Sequence, residues 1–131
     1  MLEAASERSD LVVITGGLGP TEDDITREAL AKLAGETPIL DPKLNAHLNQ
    51  IFSQRGIPMP ERNLKQAEII PSADPINNSR GTAPGWWVKT KGTIFIAMPG
   101  VPREMYEMWE PVSYTHLRAH ETREEGGSRH V

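Results

Sequence analysis

The stretch that decides the fold is "LVVITGGLGPTEDD", Leu11 to Asp24. Leu11 to Ile14 is a short, continuous apolar run rich in β-branched residues, which reads as a strand buried on both faces, the habit of a parallel sheet. It stops at once on Gly16, Gly17 and Gly19. Glycine adopts backbone angles other residues avoid and lets another group approach the main chain. Several N–H groups can then turn toward one point, and a helix starting just afterwards adds partial positive charge there. That combination binds phosphate, at the strand ends where open α/β sheets bind their ligands. Thr15, Thr21 and Thr26 offer hydroxyl donors around the same turn.

Glu22, Asp23 and Asp24 run against a bare phosphate site. Two readings of the acids stand side by side. Asp23 or Asp24 caps the next helix, or the acids hold a divalent cation that bridges to substrate phosphates, as Mg²⁺ does with one or two carboxylates. The spacing matches neither the P-loop nor G-x-G-x-x-G.

Working outward, Ile25, Ala29, Leu30 and Leu33 share one helical face and Gly35 stops that helix. In "DPKLNAHLNQIFSQRG" Asp41 caps a second helix, Pro42 suits its first turn, Gly56 ends it, and Leu44, Leu48, Ile51 and Phe52 form its stripe. "IPMPERNLKQA" reads as a turn followed by two helical turns, and "AEII" as a short strand. Pro71 to Gly85 reads as a long turn-rich connection. "WWVKT" and "TIFIAM" form a hairpin across Lys91-Gly92, and Pro102 opens a last helix. Adjacent strand residues face opposite ways, so Trp86 and Trp87 split, with core packing for one and base or pterin stacking a lesser alternative for the other. The order strand, helix, helix, strands, helix is that of an α/β fold.

Two later loops repeat the first design. In "NNSRGTAPG", Arg80 can grip a phosphate with two N–H groups, and Gly81 and Thr82 offer further donors; an ordinary surface loop with a solvated arginine is the alternative. In "PGVPREM", Gly100 sits in the turn and Glu104 in the first turn of the helix, where a dipole role is the simpler reading and a metal ligand the other.

The 131 residues carry a formal net charge of −4 and no cysteine. There is no basic footprint for nucleic acid, no apolar run long enough to span a membrane and no secretory leader pattern, so a cytoplasmic protein without nucleic-acid or membrane partners is expected. "VSYTHLRAHET" resembles the conceptual translation of a transposon-type sequencing adapter. Residues 112–131 are therefore expected to be an unpacked, non-native tail, and His116 and His120, four apart, are not read as a metal pair.

"TGGLGPTEDDITREALA", "RGIPMPERNLKQA", "RGTAPGW" and "MPGVPREM", in this order, resemble the N-terminal domain of the CinA (competence/damage-inducible) proteins. That domain is itself similar to the MoaB/Mog molybdopterin-binding domains. The resemblance runs from about Ser9 to Pro111, and the long first motif is its specific part. It implies a three-layer α/β/α sandwich with a mostly parallel sheet over residues 1–111, and a nucleotide- or pterin-phosphate site. It also implies hydrolysis of ADP-ribose-type pyrophosphates with a divalent metal (Mg, Mn or Co), and a homodimer. A molybdopterin-binding protein of cofactor biosynthesis is the alternative.

Carried onto this chain, the resemblance makes Gly16, Gly17 and Gly19 phosphate binders, with Thr26, Gly81 and Thr82 as further donors; Thr15, Thr21, Arg80 and Gly100 join the phosphate-binding set on the reading of the loops themselves. Asp23 and Asp24 become the catalytic or metal-holding acids, with Glu104 a third metal ligand. Family domains open with a strand and a "GDE" segment that "LEAASERSD" does not match, so an incomplete, inactive fragment with an exposed sheet edge is expected.

Overall fold

The computed structural model describes residues 10–111. The expected tail, with His116, His120 and His130, lies outside the described residues, as does "LEAASERSD" before Asp10.

The elements follow in the order β1 (Leu11–Thr15), α1 (Thr26–Ala34), β2 (Ile39–Leu40), α2 (Pro42–Gln54), a 3₁₀-helix (Glu61–Ala67), β3 (Glu68–Ile69), β4 (Ala73–Ile76), β5 (Gly85–Thr90), β6 (Thr93–Met98) and α3 (Pro102–Pro111). The main sheet has the order β1-β6-β5-β4, and β2 pairs with β3 in a separate antiparallel ribbon. β1 runs parallel to β6, with Ile14 opposite Ala97. β5 and β6 form the expected hairpin, closed from Thr90 to Thr93. Its two turn residues, Lys91 and Gly92, have φ values of 52° and 77°. Positive φ at both places matches the twist of the flanking strands.

The α/β class holds, with a mixed sheet. Among the described strands only β1 on β6 is parallel, because the hairpin and β4 supply antiparallel neighbours. β4 itself falls inside what reads in sequence as a connection. Pro75 hides it, and proline is tolerated there because, among the described strands, β4 is an outer one with one unpaired side.

Two helices cover opposite faces, which makes three layers. On one face Leu30, Ala31 and Leu33 of α1 pack with Trp86, Val88, Phe95 and Ala97. On the other, Met108 of α3 packs with Trp87, Ile96 and Met98. Trp86 and Trp87 therefore split as alternation requires, and both are buried, at 0% and 4% exposure. Truncating a core aromatic of this kind costs about 3–5 kcal/mol. A third cluster, Leu48, Phe52 and Ala67, joins α2 to the 3₁₀-helix away from the sheet.

β1 is not buried on both faces. Leu11 and Val13 are 42% and 47% exposed, and among the described residues β1 pairs with β6 alone. α1 begins later than the acids suggest: Ile25 is its N-cap, and no side chain caps it. Gly35 ends it in the left-handed conformation, as expected. α2 follows its sequence signals, with Asp41 accepting from the Leu44 amide at 3.1 Å and Pro42 in the first turn.

Candidate phosphate-binding cleft

The carboxyl ends of β1 and β6 open into a cleft of about 380 Å³. Gly16, Gly17, Gly19 and Asp24 line it from the first loop, Thr82 from the second, and Gly100 and Glu104 from the third. The loops that read as three separate candidates thus meet at one place. The first and third touch directly: a Cβ on Gly100 would stand 3.4 Å from the Gly16 Cα.

Hydrogen bonds of the sequence's own making hold the first loop in shape. The Gly16 amide donates to Met98 O at 2.8 Å, which fastens the loop to the end of β6. Thr26 donates its hydroxyl to Gly16 O at 2.9 Å and its amide to Gly17 O at 3.1 Å. Gly16 and Gly17 take φ values of 94° and 74°, which favour glycine.

From the opposite side Arg27, buried at 2% exposure, donates through Nη1 to Leu18 O at 2.6 Å and through Nη2 to Gly19 O. Gln66 Nε2 also reaches Leu18 O, at 3.3 Å, while its Oε1 accepts from Asn63. Lys65 Nζ donates to Thr21 O at 2.8 Å and Asp24 O at 3.1 Å. The loop's carbonyls are thus engaged by donors from α1 and the 3₁₀-helix. Among the described residues the Gly17 and Leu18 amides have no protein acceptor. Backbone N–H groups left open beside a cationic backing are the elements of an anion site.

Asp24 is tied into the loop rather than to the helix. Its Oδ2 accepts from the Thr21 hydroxyl at 2.6 Å and the Thr21 amide at 3.0 Å. The Thr21 hydroxyl, chiefly, holds the Asp24 carboxyl below the ordinary aspartate range against partial desolvation, with backbone hydrogen bonds from Thr21 and Gly19 and the Arg27 charge adding to it. Gly19 packs beneath this carboxylate, and a Cβ there would stand 2.6 Å from Oδ2.

Asn78 organises the second loop. Its Nδ2 donates to Ala83 O at 2.9 Å and Glu104 Oε1 at 3.0 Å, and its Oδ1 accepts from the Arg80 and Gly81 amides. A Cβ on Gly81 would stand 2.6 Å from Glu104 Oε1, so glycine there admits the carboxylate.

Several residues named from sequence do other work. Arg80 turns its Nε to Glu107 on α3 and does not line the cleft, because the carboxylate lies within reach on the neighbouring helix. The Ser79 hydroxyl and then Arg80 lower the Glu107 carboxyl below the usual glutamate range. The Gly81 amide is engaged by Asn78, the Thr21 hydroxyl by Asp24 and the Thr26 hydroxyl by Gly16. Thr15 is exposed at the end of β1, and Asp23 is exposed; neither lines the cleft. Asp24 and Glu104 are the carboxylates that do.

No group of three or more His, Asp or Glu residues able to hold a metal ion occurs among the described residues. Two carboxylates on one cleft still fit Mg²⁺, which takes one or two together with substrate phosphates and keeps several waters. An all-protein cage does not fit.

Arg27, Lys65, Gln66 and Asn78 escape a reading by motif. Arg27 is the one with a signal, lying three residues before Leu30 on the buried face of α1. The partners of Lys65 stand 44 and 41 positions away, which no local pattern reveals.

Comparison with known proteins agrees with this architecture. The family profile described as "Probable molybdopterin binding domain" matches residues 1–119. The chain is 55% identical over 109 residues to a CinA-like protein of Thermomicrobium roseum, covering 83% of this chain and 27% of that protein. It is 52% identical over 112 residues to a CinA-like protein of Deinococcus radiodurans, covering 82% and 28%. The chain thus spans about a quarter of the length of these relatives. The crystal structure of the protein CinA, of unknown function, from Thermoplasma acidophilum superposes with a TM-score of 0.77 at 39% identity, covering 86% of this chain and 65% of that one. With the glycine loops, the cleft and the match in hand, the chain belongs to the molybdopterin-binding-domain family, and its relatives there include CinA-like proteins.

Proposed function

We propose that the cleft holds the phosphate end of a small nucleotide or pterin compound. In the intact parent protein it supports metal-dependent hydrolysis of ADP-ribose-type pyrophosphates, in the cytoplasm. The observation that carries the reading is the convergence of three glycine loops on one cleft, with Asp24 and Glu104 on its walls and no protein acceptor for the Gly17 and Leu18 amides among the described residues.

The residues divide the work by charge. The loop amides and the α1 start take the phosphate oxygens. Arg27, held behind the loop, keeps the Leu18 and Gly19 carbonyls turned away from the anion. Asp24 stays ionised at neutral pH under its Thr21 hydrogen bonds. Asn78 keeps Glu104 at the opposite wall. Asp24 and Glu104 would hold a divalent cation together with the phosphates, and such an ion supplies Lewis-acid polarisation of a phosphoryl oxygen. An ionised carboxylate at the cleft also orients a water or accepts its proton.

The test is AMP release from ADP-ribose by the parent protein with Mg²⁺, Mn²⁺ or Co²⁺, compared with Asp24→Asn. Hydrolysis that falls at least a hundredfold in the variant supports the reading; no hydrolysis with any of the ions removes it. The description of the matching family favours a second reading, binding of molybdopterin for cofactor assembly. Tight molybdopterin binding without nucleotide hydrolysis would select it.

A further inference from the structure

The segment from Thr21 to Asp24 is a turn whose two ends clasp each other. The Asp24 amide donates to Thr21 O at 3.1 Å, and Asp24 Oδ2 accepts from the Thr21 amide at 3.0 Å and hydroxyl at 2.6 Å. Two neighbours clasped together still need a hold from outside to set their direction toward the cleft. Lys65 gives one from the 3₁₀-helix. Its Nζ donates to Thr21 O at 2.8 Å and to Asp24 O at 3.1 Å, the carbonyls of the first and last residues of the turn. It also lies 3.5 Å from Glu28 Oε2, in the first turn of α1. An ammonium has three donors, one for each of these partners.

We propose that Lys65 is a positioning residue for Asp24: it clamps both carbonyls of the turn and so fixes where the Asp24 carboxylate stands on the cleft wall. The inference rests on the reading of Asp24 as an acid that holds a cation together with substrate phosphates. Lys65 does not line the cleft, whereas Asp24 does, so Lys65 acts through its neighbour. It acts by geometry. The charge that helps to lower the Asp24 carboxyl is that of Arg27, and the Lys65 ammonium is balanced by Glu28. Lys65 thus sets the place of the carboxylate and leaves its ionisation to Thr21 and Arg27.

A plain surface anchor would look different. A lysine held in one geometry loses side-chain freedom, and a partner as exposed as Glu28, at 54%, offsets little of that loss. The charge-assisted bonds to carbonyls are the stronger ones, and both fall on the Asp24 turn. Groups that orient a metal ligand from behind commonly govern how well it holds the ion.

The test is calorimetric binding of inorganic pyrophosphate to the full chain, once with Mg²⁺ and once in EDTA, with urea midpoints recorded for every variant. Wild type is expected to bind more tightly with Mg²⁺, and Asp24→Asn to lose that gain. Lys65→Met should weaken binding with Mg²⁺ about tenfold, the usual size for a group that orients a metal ligand, and leave binding in EDTA unchanged. Placed on Asp24→Asn, it should change nothing further. Lys65→Arg, whose guanidinium can fork onto two carbonyls as Arg27 does, should restore most of the affinity. Where Lys65→Met fails to fold, Lys65→Gln carries the same expectation. A Lys65→Met chain as tight as wild type with Mg²⁺ overturns the inference, as does one that loses equally in EDTA or loses again on the Asp24→Asn background. Each of these results leaves Asp24 in place as a cation ligand. No gain from Mg²⁺ in wild type, or a full gain in Asp24→Asn, removes Asp24 from that role and the inference with it.

Discussion

Gly17 lies so close to Thr26 that a Cβ built on the glycine would overlap the threonine hydroxyl oxygen. The same hydroxyl bonds Gly16 O, so loop and helix start are fitted to each other at one atom. Gly17→Ala meets both this overlap and a φ of 74°. It should destabilise the fold by about 1–3 kcal/mol and abolish pyrophosphate binding. Thr26→Ala should cost about 1 kcal/mol alone, for the lost hydrogen bond. In the double variant the overlap is relieved while the φ strain stays, so the two costs should sum to less than their separate values. Urea denaturation of the four proteins measures this.

Arg27 donates to two loop carbonyls from a buried position, and its Nε has no partner among the described residues. Arg27→Met keeps much of the apolar stem and removes both bonds, leaving Gly19 O without its side-chain donor and Leu18 O with Gln66 alone. A loss of about 1–3 kcal/mol is expected. Arg27→Lys should recover only part of it, since one ammonium does not reproduce the fork of a guanidinium. Denaturant midpoints for the three proteins decide it.

The carboxyl of Asp24 has a folded pKa below its unfolded value. Its contribution is therefore fully present above the unfolded pKa, near pH 4, and is lost as the pH falls through the folded pKa. Thermal melts of wild type should drop across that acid window more steeply than those of Asp24→Asn. Thr21→Val removes the hydroxyl that dominates the shift and should flatten the profile in the same direction.

Arg80 and Asn78 are two positions apart and should behave in opposite ways. Arg80→Ala breaks an exposed ion pair to Glu107, so stability should hardly move and phosphate affinity should not change. Asn78→Ala removes a buried amide with four bonds and frees Glu104. A loss of about 1–3 kcal/mol is expected, together with lower affinity for any cation-bound phosphate. Calorimetry with pyrophosphate and Mg²⁺ separates the two.

The contrast between these residues shows what sequence makes legible. Local, periodic signals survive intact: the Asp41 cap, the Lys91-Gly92 hairpin turn, the stripe of α2 and the stop at Gly35. The three glycine loops announce the cleft because strand ends converge whatever the details. Less legible is how each polar side chain divides its loyalty. Asp24 looks like a helix cap, yet its carboxylate accepts from the Thr21 amide and hydroxyl, and the helix starts one residue later on Ile25 with no side-chain cap. Arg80 looks like a phosphate hand, yet Glu107 is the nearer anion. Pro75 conceals an outer strand, and the exposure of β1 follows from its neighbours, which its own apolar run does not specify.

The separate cluster of Leu48, Phe52 and Ala67 has a dynamic consequence. It shares no residue with the cores on either side of the sheet, so α2 and the 3₁₀-helix are built to open as a unit of their own. Their amides should exchange with deuterium sooner than those of β5 and β6. Lys65 and Gln66 bolt that unit to the first loop, so an occupied cleft should slow its exchange and leave the strands untouched. Breathing at the edge would then admit the ligand while the sheet stands still.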